Sequence, residues 1–220
     1  MECFGIFAKY WEPGKVKTRL AATLGREPAS QIYHHFVSTL VARFRGCADS
    51  RVLCFTPQEH ANAFTTIAGP DWTAKPQSQG DLGARMASFF AECFGAGADR
   101  VVLIGSDSPT MPTAYVESAF RLLHATDIVL GPTADGGYYL VGAARETAAG
   151  IFERIDWSTE RVWEQTVVRL GALGLSYESL PQWYDVDELS DLERLRDELS
   201  QLAHDDPAWS ELLAAIHRVL

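Results

Sequence analysis

Five short stretches of the 220-residue sequence hold the side chains that could do chemistry. The first, Lys9-Tyr10-Trp11-Glu12-Pro13-Gly14-Lys15-Val16-Lys17-Thr18-Arg19-Leu20, carries four of the chain's 19 lysines and arginines. Lys15, Lys17 and Arg19 follow a Pro-Gly turn at alternate positions and form a compact receiver for phosphate oxygens. A guanidinium grips two oxygens at once, and an ammonium supplies a point charge. The stretch is neither a GxxxxGK[ST] loop nor a GxGxxG loop, so neither of those mechanisms applies. In Gly105-Ser106-Asp107-Ser108-Pro109 a carboxylate follows an apolar run, and a carboxylate at a strand tip needs a cationic partner. A magnesium ion shared with diphosphate oxygens is the natural one. Ser108 or Thr110 is expected to cap the helix that follows. In Trp183-Tyr184-Asp185-Val186-Asp187 two carboxylates stand two apart in an extended segment, so Asp185 and Asp187 face one side and could share a cation. Asp191 belongs in the first turn of the next helix, where negative charge meets the macrodipole.

Two glycine-containing stretches complete the set. In Gln79-Gly80-Asp81-Leu82-Gly83-Ala84-Arg85-Met86, Asp81 could simply cap a helix. Alternatively Gln79 and the backbone at Gly80 face a nucleobase or sugar, with Arg85 one helical turn in. In Gly131-Pro132-Thr133-Ala134-Asp135-Gly136-Gly137-Tyr138-Tyr139-Leu140, the Asp-Gly-Gly step permits positive φ and close backbone approach. It reads either as a hairpin turn or as a place where an acceptor lies against Gly136 and Gly137. Asp135 would then bond hydroxyls or act as a base. Tyr138 and Tyr139 point to opposite faces of a strand, so at most one should line a site. The six histidines (His34, His35, His60, His124, His204, His217) have no ligand partner at nearby spacing and read as structural. Trp157 is expected to pack ahead of a helix capped by Ser158 or Thr159.

The elements that must position these residues follow from hydrophobic patterning. Short apolar runs at residues 4–8, 52–55, 101–104 and 128–130 are bounded by Gly, Pro or Asp, as buried parallel strands are. Amphipathic segments at 30–45, 58–66, 82–94 and 114–125 lie between them. This alternation predicts an α/β fold, a doubly wound sheet with helices on both faces. Further strands are expected at 137–142 and 175–180, and further helices at 160–173, 188–201 and 209–220. With no repeat or long linker, one domain over 1–220 is expected. Ligands bind such sheets beyond the carboxyl ends of the strands, where these five stretches gather.

Composition narrows the function classes. Hydrophobic residues make up 47% and charged residues 22%, enough for a sizeable core. A net charge of −10 argues against nucleic acid or an anionic membrane as partner. No run approaches the length of a membrane span and no signal peptide is evident, so a cytoplasmic protein is expected. Cys3, Cys47, Cys54 and Cys93 are widely spaced with no CxxC pair, so neither a zinc site nor a disulfide framework is suggested.

Taken in order, the five motifs resemble those of one bacterial family, the small glycosyltransferase-A-like proteins of DUF2064, or arsenosugar-biosynthesis-type glycosyltransferases. The resemblance spans about residues 3–195. More distantly, the sequence is similar to guanylyltransferases of cofactor synthesis. The resemblance implies a nucleotide-diphospho-sugar transferase fold with three α-β-α layers. Its central sheet would be mostly parallel with a small antiparallel element. It also implies a Mg²⁺ or Mn²⁺ requirement. By position, Asp107 matches the family's metal carboxylate, Asp187 its late metal-side acid, and Lys15, Lys17 and Arg19 its phosphate loop. One departure is visible: the family's Lys-x-Pro-x-x-Gly entrance is replaced by Lys9 followed by Tyr10-Trp11-Glu12-Pro13-Gly14. Three functions stay open. One is glycosyl transfer from a nucleotide sugar to a hydroxylated small molecule, another nucleotidyl transfer to a phosphorylated acceptor with pyrophosphate release. The third is nucleotide binding without catalysis.

Overall fold

A computed structural model describes residues 1–144, 150–202 and 206–220; His204 lies outside the described residues. Strands β1 (Glu2–Lys9), β2 (Ser50–Thr56), β3 (Thr73–Pro76), β4 (Arg100–Ile104), β5 (Ile128–Pro132), β6 (Tyr138–Ala144) and β7 (Tyr177–Ser179) join in the order β3-β2-β1-β4-β6-β5-β7. Every neighbouring pair is parallel except those of β6, which runs antiparallel to β4 and β5. Helices α1 (Thr18–Leu24), α2 (Arg26–Arg43), α3 (Ala61–Ala68), α4 (Leu82–Gly95), α5 (Thr113–Leu122), α6 (Val162–Leu173), α7 (Leu189–Leu202) and α8 (Pro207–His217) cover the sheet.

The layers can be read from alternation along the strands. Phe4 and Ile6 of β1, with Val102 and Ile104 of β4, join a core that includes Phe36 and Leu195. Cys3, Val101 and Leu103 point the other way, into a core with Phe89, Phe90 and Phe152. A sheet with apolar side chains on both faces needs helices on both, which gives the three-layer α/β arrangement. Cys3, Cys54 and Cys93 are buried free thiols within it.

Two elements had no apolar signal. Edge strand β3 is almost wholly exposed, so it lacks the hydrophobic run that marks a buried strand. Helix α1 buries Leu20 alone and reads in sequence as the end of the basic loop. The expected caps also differ. Pro112 precedes α5 without a side-chain cap. Ser108 Oγ donates instead to Tyr184 O (2.9 Å) and Asp185 Oδ1 (2.6 Å), and Thr110 Oγ1 donates to Glu198 Oε2 (3.1 Å). Both hydroxyls are spent on long-range ties. Arg161 precedes α6, again without a side-chain cap, because Ser158 adopts a positive φ and Thr159 Oγ1 donates to Asp156 O. Asp81 does cap α4, its carboxylate accepting from Ala84 N (2.8 Å). Asp191 accepts from the backbone of Asp187 and Glu188 at the start of α7.

Helices α7 and α8 share the core of the first sheet face through Leu192, Leu199, Leu212 and Ile216. Arg43 of α2 donates to Pro109 O (2.7 Å) while its guanidinium lies 4.6 Å from the Trp209 ring. Among the described residues no helix is long and apolar enough to cross a membrane.

Candidate functional site

The carboxyl ends of the parallel strands open on a cleft of about 680 Å³. Lys17 is its electrostatic centre. It precedes α1 in a left-handed conformation (φ 45°), and its side chain is 3% exposed. The ammonium pairs with Asp107 and lies 2.9 Å from Asp187 Oδ1. It also stands over the rings of Tyr33 and Phe36, 5.9 and 5.7 Å from their centroids. Burial works against the charged ammonium, but the charges of Asp107 and Asp187 outweigh it and hold the Lys17 pKa above the ordinary lysine value.

Backbone ties fix the two carboxylates. Val186 N donates to Asp107 O (2.9 Å), and Ser108 reaches across to Tyr184 and Asp185. Tyr33 OH accepts from Lys9 N (3.0 Å) and bonds Ser106 Oγ (2.7 Å), so the ends of β1 and β4 share one hydroxyl. Asp107 and Asp187 keep side chains 43% and 44% exposed. Asp185 is turned toward Ser108. Burial, then the charge of Asp107, pushes its pKa up to about 7.

Lys15, Lys17, Arg19, Arg85, Tyr138, Asp107, Asp185 and Asp187 all border this cleft. Arg19 is exposed and 3.9 Å from Glu188. Gln79 and Gly80 are exposed and stand outside its wall. Asp135 and its glycines are also outside the wall, in the turn of the β5–β6 hairpin. There Asp135 Oδ1 accepts from Thr133 Oγ1 (2.5 Å) and Gly137 N (3.2 Å). The backbone lying against Gly136 is the chain's own: a Cβ there would come within 2.1 Å of Glu160 O, at φ +87°. Tyr138 and Tyr139 pack in opposite cores, as alternation requires. Both nevertheless border the cleft, because it lies across the strand end rather than on one face.

Sequence reasoning missed Tyr33, Gln77, Leu82 and Ser158 as wall residues. Tyr33 sits among the apolar positions of a long helix and carries no local mark. Gln77 lies two residues ahead of the motif that drew notice. Ser158 was weighed only as a cap.

The chemistry of the donor set suits a divalent ion that a ligand helps to hold. Among the described residues no group of three or more His, Cys, Asp or Glu side chains could hold a metal alone. Two half-exposed carboxylates facing a cationic loop are what magnesium uses when phosphates and water complete its shell.

The description "Uncharacterized protein conserved in bacteria (DUF2064)" matches residues 40–159 of the chain. The protein belongs to the DUF2064 family. The family match begins after the basic loop and ends before Asp185. A structural likeness covers both: a protein from Desulfovibrio desulfuricans G20, provisionally assigned as a nucleotide-diphospho-sugar transferase, is 33% identical with a TM-score of 0.88, over 99% of this chain and 97% of that one. A cytidylyltransferase from Leptospira borgpetersenii shares the fold at 14% identity and a TM-score of 0.59, over 99% and 94% of the two chains. Rv0371c of Mycobacterium tuberculosis, crystallised with manganese, shares it at 18% identity and a TM-score of 0.51, over 88% and 97%. No curated protein matches the sequence. The nucleotide-diphospho-sugar transferase fold is thus the fold of this DUF2064 member, and its named neighbours include transferases.

Proposed function

We propose that this protein is a metal-dependent glycosyltransferase that takes a nucleotide-sugar donor and a hydroxylated small-molecule acceptor. The observation that carries the proposal is the convergence of Lys17 on Asp107 and Asp187 within a cleft also edged by Lys15 and Arg19. Asp107 and Asp187 would hold Mg²⁺ or Mn²⁺ together with the donor's phosphates. Asp185 ranks below them, since it must give up a proton held to about pH 7 before it can ligate. When bound, the ion neutralises the departing diphosphate. Lys15 and Arg19 meet the phosphate oxygens from the open side, and Lys17 keeps a positive charge under them at every working pH. Tyr33 orients this floor through Lys9 and Ser106. Asp135 takes no part as a base in this reading, because it stands outside the cleft wall, in the hairpin turn.

A second reading is nucleotidyl transfer with pyrophosphate release, supported by the three cations of the first loop, Lys15, Lys17 and Arg19, on one cleft, a density that suits a triphosphate. Calorimetric titration with UDP, GDP, CTP and ATP, with and without Mn²⁺, tests the shared premise. Saturable metal-dependent binding, lost in Asp107→Asn, is expected. Release of a nucleoside diphosphate on turnover marks the first reading and pyrophosphate the second; binding with neither would leave a noncatalytic nucleotide-binding protein. A folded protein that binds none of the four would end the proposal.

A further inference from the structure

The cleft wall holds two chemically different groups of side chains. Lys15, Lys17 and Arg19 with their carboxylates form one. The other comprises Gln77 and Arg85 with two apolar residues, Phe7 and Leu82. Leu82 is 41% exposed, unusual for a large aliphatic side chain, and offers a surface on which a flat ring could lie. A polar edge beside an apolar shelf is the environment of a heteroaromatic base.

The orientation of the Gln77 amide is settled by its neighbours. Its Nε2 donates to Cys54 O (3.1 Å) and to Ala8 O (3.4 Å). The reversed amide would set an oxygen against two carbonyl oxygens, so both N–H groups are committed to the main chain. Oε1 keeps its acceptor capacity apart from one long contact from Arg85 Nη1 (3.4 Å), and both residues border the cleft. Arg85 is itself steadied by its Nε bond to Gly80 O (2.8 Å). The protein therefore presents one fixed acceptor next to a charged donor fork.

Resting on the nucleotide reading given above, we propose that Gln77 and Arg85 read the base of the bound nucleotide and select one with a ring N–H beside a carbonyl, uracil or guanine. Gln77 accepts the ring N–H, and Arg85 donates to the adjacent carbonyl oxygen. A glutamine pairs with adenine by donating and accepting together; here its donors are spent, which removes that pairing. Cytosine and adenine also offer no ring N–H on the pairing edge.

Equilibrium binding of UDP, GDP, CDP and ADP in the presence of Mn²⁺ tests this directly. UDP or GDP should bind at least about tenfold more tightly than CDP and ADP, the scale of one good base contact. Methylation of the ring nitrogen, in 3-methyl-UDP or 1-methyl-GDP, should abolish that advantage on the unaltered protein. Gln77→Met should flatten the preference while leaving phosphate-dependent binding in place; the methylated nucleotides decide the matter if that variant does not fold. Equal binding of all four bases, preference for CDP or ADP, or indifference to methylation would overturn this inference and leave the nucleotide site standing. Absence of binding by any nucleotide would overturn both.

Discussion

Inside the cleft three carboxylates lie about one buried ammonium, and Asp185 is set apart from the other two by its surroundings. Asp107 and Asp187 share the charge of Lys17, whereas Asp185 sits under Ser108. Burial first, then the Asp107 charge, lifts its pKa from 3.8 to about 7, against the opposing pull of the Ser108 hydrogen bond and Lys17. The folded protein thus keeps a proton on Asp185 that the unfolded chain has released, so the contribution of Asp185 to stability falls as pH rises from 3.8 to about 7 and levels beyond it. Lys17 adds nothing to that slope, since its raised pKa leaves it charged throughout the interval. We expect Asp185→Asn, which keeps the contact to Ser108, to flatten this part of the profile in urea melts run across the interval. An unchanged slope in the variant would show that Asp185 is not the group responsible.

Among the elements, the β5–β6 hairpin sets one wall of the cleft by an indirect route. Gly136 turns at φ +87° and lets the backbone of Glu160 lie against it, while Trp163 N donates to Gly136 O (2.8 Å). Segment 158–161 is pinned there, and Ser158 borders the cleft. Gly136→Ala combines a forbidden φ with a backbone clash, so a loss of at least about 1–3 kcal/mol is expected in a thermal or urea melt. A variant as stable as the parent would mean that the hairpin moves aside without cost. These elements also show what sequence could reveal. The apolar runs of β1, β2, β4 and β5 announced themselves because each is buried on both faces. The antiparallel placement of β6 was legible only in the hairpin-turn reading of Asp135-Gly136-Gly137 and in the family resemblance, since alternation does not encode direction. Exposed β3 and the short α1 stayed hidden for want of apolar positions. The charged part of the site was legible because Lys17, Asp107 and Asp187 are costly to place without partners. Tyr33 and Gln77 were not, because their roles depend on which strand ends the sheet order brings together.

At the scale of the molecule, the C-terminal helices belong with the sheet. Leu212 of α8 is fully buried in the same core as Phe4 and Phe36, and Glu198 of α7 accepts from Tyr184 OH and Thr110 beside the cleft. We therefore propose that the chain unfolds as a single unit. Leu212→Ala should lower stability by about 2–5 kcal/mol and shift one shared transition, seen alike by tryptophan fluorescence and far-ultraviolet circular dichroism. Two separated transitions would instead make the last helices an independent unit. The pairing of Lys17 with Asp187 has a consequence for how such a chain is born. Those residues are 170 positions apart, and the intervening chain includes every strand between β1 and β7. A nascent chain emerging from the ribosome displays its cationic loop first and its Asp107 tip later, and the acidic segment that closes the cleft later still. The phosphate-seeking charges are thus made before their counter-charges, and the complete site exists only once the segment that carries Asp187 has been made.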